Sequence, residues 1–170
     1  RMPGGDALAS VGLTPVRRQA KEGLSLINGT QFMCAMASLG LVRARRLVRV
    51  SDIACAMSLE ALQGSLTSFH PAIHAARPHA GQVASAANVR RLLDGSAILE
   101  SHRWCDKVQD AYSLRCAAQV HGASRDLLDY VERTVAIEIN AATDNPLVLL
   151  EEREIVSNGN FHGQTIAFAL

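Results

Sequence analysis

Apolar residues recur at spacings of three and four along most of this chain, and no stretch alternates strands with helices in the rhythm of a βαβ unit. That periodicity confines the fold to packed helices. Leu127, Leu128, Val131, Val135 and Ile139 follow Ser124, a good N-cap, and Asp126 in the first turn, which predicts a long helix. Phe32, Met33, Met36, Ala37, Gly40 and Leu41 form an apolar stripe on a second helix, from about Thr30 to Leu47. Ser51-Asp52 then reads as the start of a third, running through Ile53, Ala56, Met57, Glu60 and Leu66. Phe69 to Gly81, with Pro71, Pro78 and three histidines, reads as a loop, followed by a helix from Gln82 to Leu93 that Asp94-Gly95 closes. The stretch from His102 to Arg115 begins irregularly and becomes helical. Asp144-Asn145-Pro146 breaks the long helix, because proline lacks the amide and pushes Asn145 toward extended geometry. Leu147 to Leu150 and Arg153 to Ser157 are the only strand candidates, short enough for one hairpin. The expected class is mainly α, a bundle of long helices with at most one short β-hairpin. With aromatics at 4%, the helices must approach closely on small side chains.

Lys+Arg 17 against Asp+Glu 16 leaves a net charge of +1, without the basic excess that binds nucleic acid. Charged residues, at 19%, are too few to cover a solitary globule, so part of the surface is expected to meet protein. Arg43, Arg45, Arg46 and Arg49 spread around one helix as a solvated face or a subunit contact. No apolar run reaches membrane-span length and no signal sequence opens the chain, which suggests a soluble, cytoplasmic protein without a membrane partner. Cys34, Cys55, Cys105 and Cys116 include no close pair and read as buried free thiols in a reducing compartment. His70 and His74, with His79 beyond, have metal-ligand spacing, but Pro71 and the lack of a nearby acid favour loop histidines and no metal site. Both ends look cut, since the chain opens on Arg1-Met2 and stops within an apolar pattern at Leu170, so residues 1–170 read as a single incomplete domain.

Three polar clusters interrupt the apolar pattern. Asn28-Gly29-Thr30-Gln31 can be a turn with Thr30 as the helix N-cap, or a functional loop. Asn158-Gly159-Asn160-Phe161-His162-Gly163 can equally be a tight loop before a helix. In Gln109-Asp110-Ala111-Tyr112-Ser113-Leu114-Arg115, the residues Gln109, Tyr112 and Arg115 stand three apart and are neighbours on a helix. A guanidinium grips a carboxylate with two charge-assisted bonds, and beside a phenol it favours the phenolate, an arrangement suited to an anionic substrate. The alternative is an internal ion pair of Arg115 with Asp110 or Asp106.

Lys21 to Gln31, Val108 to Cys116 with Gln119-Val120-His121-Gly122, Thr143 to Val148, and Gly159 to Gly163 resemble consecutive signatures of the aromatic amino acid ammonia-lyase and aminomutase family. The wording of Val108 to Cys116 and of Arg77 to Gln82 is most similar to its histidine ammonia-lyase branch. The resemblance covers essentially the whole chain and implies the central part of a longer helical domain of ammonia-lyase type. It implies non-oxidative elimination of ammonia from L-histidine to trans-urocanate, in a homotetramer whose sites draw on more than one subunit. It also implies the prosthetic group 4-methylidene-imidazole-5-one (MIO), made from an internal Ala-Ser-Gly that does not occur in these residues, so this piece alone should be inactive. By the same resemblance, Arg115 binds the substrate carboxylate, Asn28 hydrogen-bonds near that carboxylate and the MIO, and Tyr112 sits beside the MIO and the amino group. Gln109, Asn145 and Phe161 complete the pocket wall. Two rivals are a tyrosine or phenylalanine ammonia-lyase or aminomutase of the same fold, and a noncatalytic helical interaction module.

Overall fold

The computed structural model describes residues 1–170, and their contacts divide them into two compact units, one of residues 1–30 and 142–163 and one of residues 31–141 and 164–170. In the smaller unit, α1 (Gly4–Ala9) and α2 (Glu22–Ser25) are short, and the antiparallel strands β1 (Leu147–Leu149) and β2 (Glu154–Val156) pair with Val148 opposite Ile155. The hairpin is the one expected from sequence. Arg153 reverses its turn with φ of +56°. The Asn145–Pro146 peptide preceding it is cis.

The larger unit is built on α3 (Gln31–Ala61), α5 (Ala80–Leu92) and α8 (Ala117–Glu138). Around them lie α4 (Pro71–Ala75), α6 (Ala97–Ser101), α7 (Tyr112–Arg115) and α9 (Gln164–Ala169). One helix of 31 residues replaces the two expected between Thr30 and Leu66. Ser51 and Asp52 imitate an N-cap, but neither proline nor an unfavourable backbone angle interrupts the helix there. The Ser51 hydroxyl donates back to the Val48 carbonyl at 2.8 Å, and the Asp52 carboxylate turns inward to partners on other helices. The stop comes later, where Gln63 adopts φ of +48° and the Gly64 and Gln63 amides donate to the carbonyls of Leu59 (2.7 Å) and Glu60 (3.0 Å). These two hydrogen bonds form the Schellman closure.

The second long helix likewise starts earlier than expected. Ser124 lies inside α8, its hydroxyl returned to the Val120 carbonyl at 3.3 Å, and the chain enters the helix at Ala117 directly after α7. The helix has ended by Ile139, several residues ahead of Pro146. Thr30 does not act as an N-cap, since its hydroxyl is buried without a hydrogen-bond partner. Phe69 to Gly81 is more ordered than a loop. Phe69 ends a 3₁₀ turn, and the His70 imidazole caps α4 by accepting from the Ala72 amide at 3.2 Å.

Two apolar clusters hold the helices together. Cys55, Ala56, Leu59, Phe69, Ala86, Val89, Leu93, Leu114, Ala117 and Ala118 fill one. Cys34, Ala37, Val131, Val135, Ile166 and Ala169 fill the other. Cys34 and Cys55 are buried, with thiol pKa values pushed up by burial, while Cys105 is exposed and Cys116 half-buried, so only two of the four thiols match the buried expectation. The expected stripe on α3 is also only partly inward. Ala37 is buried and Leu41 packs on the core, whereas Phe32 and Met36 face outward with Leu39, Val42, Leu47 and Met57. Of the arginine run, Arg45 turns to Asp129 and Glu132 on α8, and Arg43, Arg46 and Arg49 remain exposed.

The close approach of α5 and α8 depends on two glycines. A Cβ on Gly122 would lie 2.3 Å from the Gln82 amide nitrogen, and one on Gly81 would lie 2.2 Å from the Gly122 carbonyl oxygen. The Gly81 amide in turn donates to Asp126 at 2.7 Å. Gly122→Ala should force the helices apart and lower the stability of the full-length protein by about 3 kcal/mol, the upper end of overpacking costs, read from chemical denaturation. An unchanged transition would show that the crossing is not tight.

His74 is fully buried, its Nδ1 3.0 Å from Gln82 Nε2, and burial pushes its pKa below the usual 6.5, with the Arg90 charge acting in the same direction. Folding therefore favours neutral imidazole. Stability from this group is complete above the unfolded value and is lost as pH falls from about 6.5 toward the lowered folded value. Denaturant titrations from pH 7 to pH 5 should show a shallower loss for His74→Gln than for the parent; equal slopes would remove His74 as a source.

Candidate active site

The C-terminal turn of α3 organises the segment that carries Gln109, Tyr112 and Arg115. Lys107 Nζ donates to the carbonyls of Leu62 (3.1 Å) and Gln63 (2.9 Å), and His102 Nε2 lies 2.9 Å from the Gly64 carbonyl. An ammonium at this end also meets the negative pole of the helix. The Ser65 amide donates to Asp110 Oδ2 at 2.7 Å. These contacts fix the backbone through Asp110, after which α7 begins.

Arg115 Nε donates to the main-chain carbonyl of Asp110 at 3.0 Å, and its guanidinium carbon stands 6.0 Å from the centre of the Tyr112 ring. The Asp110 carboxylate is held by Ser65 and Lys107 instead, so the internal Arg115–Asp110 ion pair that the sequence allowed is not formed. Arg115 makes no ion pair with Asp106 either, which leaves the terminal nitrogens of its fork without a protein partner. Gln109 and Arg115 both line a half-open cleft of about 1040 Å³, together with His102, Lys107 and Asp110. Tyr112 stands outside that cleft, 74% exposed.

In the smaller unit, Lys21 bridges two of the sequence motifs. Its ammonium donates to the Asp144 carboxylate and to the Asn145 carbonyl, the latter at 2.9 Å, tying the segment that leads to Asn28 to the turn before β1. The hydrogen bond from Lys21 is the main reason the Asp144 carboxyl lies below the usual carboxylate range. Asn145 Oδ1 accepts from the Asn158 amide at 2.7 Å and from the Ser157 hydroxyl at 3.2 Å. This oxygen is already committed to holding the end of the hairpin. Asn28 and Phe161 are both exposed, and the Asn28 carboxamide has no protein partner.

Tyr112 and Arg115 share α7, whereas Gln109 precedes that helix and is not the helix neighbour of Tyr112 that the spacing predicted; Asn28, Asn145 and Phe161 belong to the other unit. The sequence suggested no role for Lys107, Ser65 or Lys21, and for Asp110 only the ion pair with Arg115 that is not formed. Lys107 and Asp110 had the three-residue spacing of a local pair, but their partners at residues 62–65 are distant in sequence and gave no signal.

A family model described as aromatic amino acid lyase matches residues 1–170. The chain belongs to that family. It is 54% identical over 168 residues to a histidine ammonia-lyase from Gloeobacter violaceus, covering 99% of this chain and 33% of the relative. Among solved structures, it resembles the histidine ammonia-lyase of Trypanosoma cruzi with a TM-score of 0.79 and 45% identity, over 97% of this chain and 30% of that one. The tyrosine aminomutase of Streptomyces globisporus superposes with a TM-score of 0.81 and 40% identity, over 96% of this chain and 35% of that one. The chain therefore spans about a third of the length of the curated relatives it matches.

Asn145→Ala should release the Asn158 amide. Hydrogen exchange at Asn158 is expected to accelerate at least tenfold with little change in the α3–α5–α8 core, and unchanged exchange would show that the side chain does not hold this turn.

Proposed function

We propose that this chain is the central part of a helical domain, residues 1–170, in a histidine ammonia-lyase that converts L-histidine to trans-urocanate and ammonia. The observation that carries the reading is the state of the polar heads: the carboxamides of Gln109 and Asn28 and the phenol oxygen of Tyr112 are exposed without hydrogen-bond partners, and the Arg115 fork is free at its terminal nitrogens. Elsewhere in the unit, Arg45 and Arg125 each meet a carboxylate through a terminal nitrogen. Groups oriented but left unsatisfied suit a ligand with a carboxylate and an amine.

Arg115 is assigned the substrate carboxylate, which its fork can meet with two parallel bonds. The Tyr112 phenol, whose ring centre lies 6.0 Å from the Arg115 guanidinium carbon, is assigned a hydrogen bond with the amino group. Gln109 and Phe161 contribute a polar and an apolar wall. Asn28, in the smaller unit, is assigned a hydrogen-bonding carboxamide on the strength of the family resemblance alone. Asn145 contributes chiefly by fixing its turn, although its amide nitrogen remains available.

The donor set fits the MIO group, because Asn28 and Tyr112 are hydrogen-bonding side chains that this chain does not itself satisfy. These two residues are the ones that would hold it. What MIO supplies in such chemistry is an electrophile for the amino nitrogen, which turns a poor leaving group into a better one. Its precursor Ala-Ser-Gly is absent from these residues and must come from elsewhere in the longer protein, so the 170-residue piece is not expected to turn over substrate. The exposed apolar row on α3, including Phe32, Leu39 and Leu47, supports assembly as a homotetramer, and four cysteines outside any disulfide suit a cytoplasmic setting.

In the full-length protein, Arg115→Ala should remove a charge-assisted pair worth about 1.5–3 kcal/mol and lower kcat/KM for L-histidine at least tenfold. Unchanged kinetics would take Arg115 out of the site. The aminomutase likeness keeps one rival open, and incubation with histidine, tyrosine and phenylalanine separates them: urocanate is the expected product, while coumarate, cinnamate or a β-amino acid would replace this reading with the rival. A full-length gene lacking Ala-Ser-Gly would favour the noncatalytic module.

A further inference from the structure

We infer that Asp110 is a positioning residue for Arg115: its carboxylate, docked on the end of α3, fixes the main-chain carbonyl that sets the direction of the guanidinium fork. This rests on the assignment of Arg115 to the substrate carboxylate, and goes beyond it. The Asp110 side chain is only 4% exposed. Its Oδ2 accepts from the Ser65 amide at 2.7 Å, and its Oδ1 lies 3.5 Å from Lys107 Nζ, which also caps the Leu62 and Gln63 carbonyls. The same residue's carbonyl receives Arg115 Nε at 3.0 Å. One residue thus joins the rigid Schellman turn of α3 to the arginine.

The physical consequence is directional. An arginine side chain has several rotatable bonds, and fixing Nε removes much of the freedom that would otherwise be lost on binding a carboxylate. With Nε occupied by Asp110, the two terminal nitrogens form the edge of the fork that remains for ligand. Packing restricts the alternatives, since a Cβ on Gly64 would come within 2.7 Å of Leu59 and 3.5 Å of Asp110 Oδ1, leaving little space around the carboxylate. Loss of the carboxylate should free the 107–111 segment, and Arg115 with it.

The test is a double-mutant cycle in the full-length enzyme, with Asp110→Asn, Asp110→Ala and Arg115→Ala alone and combined. Asp110→Asn keeps one acceptor for the Ser65 amide and is expected to raise KM for L-histidine about threefold, and Asp110→Ala at least tenfold, with a smaller change in kcat. Inhibition by trans-urocanate should weaken in step, while inhibition by histamine, which lacks the carboxylate, should hardly change. In the Arg115→Ala background the Asp110 substitutions should add little, because they act through the missing guanidinium. Full additivity, or equal weakening of urocanate and histamine, would overturn the inference and leave a purely structural role. If Arg115→Ala itself has no effect, the carboxylate assignment fails instead, so the two failures are distinguishable. Should Asp110→Ala not yield folded protein, Asp110→Asn completes the same cycle.

Discussion

A buried carboxylate in the middle of α3 ties that helix to α5 and α8. Asp52, 1% exposed, accepts from Asn88 Nδ2 at 2.8 Å and from the Arg125 guanidinium through one oxygen, and meets His121 Nδ1 at 3.0 Å through the other. Arg125 extends the connection by donating from Nε to the Ser85 hydroxyl at 2.8 Å. Taking both charges out of water costs several kcal/mol per ion, which their attraction offsets only where the remaining hydrogen-bonding positions are filled. Here they are filled from three helices. The net gain over an apolar contact is small, but any sliding of one helix by a turn would leave a buried charge unpaired. The network therefore selects one register, and the contact of Gly81 with Gly122 sets the closeness of α5 and α8 in that register.

Fixing α3 in this way also fixes its far end. The Schellman turn at residues 62–64 presents carbonyls that Lys107 and His102 capture, and the Ser65 amide holds Asp110. From there it is a few residues to Tyr112 and Arg115. A stiff support narrows the rotamers of an arginine and so raises the fraction of molecules in which its fork points one way. In this chain the support is an α-helix terminus, an element whose own orphan carbonyls require partners in any case.

The apolar residues that these contacts leave outside are as informative as the buried ones. Phe32, Leu39, Val42, Leu47 and Met57 line α3 away from its partners, and the chain amounts to about a third of its curated relatives. A monomeric domain rarely tolerates such a row in water. The low charge content noted in the sequence has its counterpart here, in surface suited to further protein.

By itself the sequence determined the helical class, the hairpin and the helical pairing of Tyr112 with Arg115, because period, proline and local spacing are properties of neighbouring residues; Gln109 lies ahead of α7, so its expected place on the same helix was not met. It misplaced the starts of the long helices for the same reason. Ser51-Asp52 and Ser124 carry the local chemistry of caps, and only packing could show that Asp52 is needed inside the core and that Ser124 lies mid-helix. Local pattern also left open whether Arg115 closes on an acid or stays free for ligand. Tertiary structure shows that the acid pair is not formed, since the Ser65 amide, distant along the chain, and Lys107 hold the Asp110 carboxylate, and the arginine meets only its carbonyl. Such long-range satisfaction of a buried charge leaves no trace in periodicity, and is settled only when the helices meet.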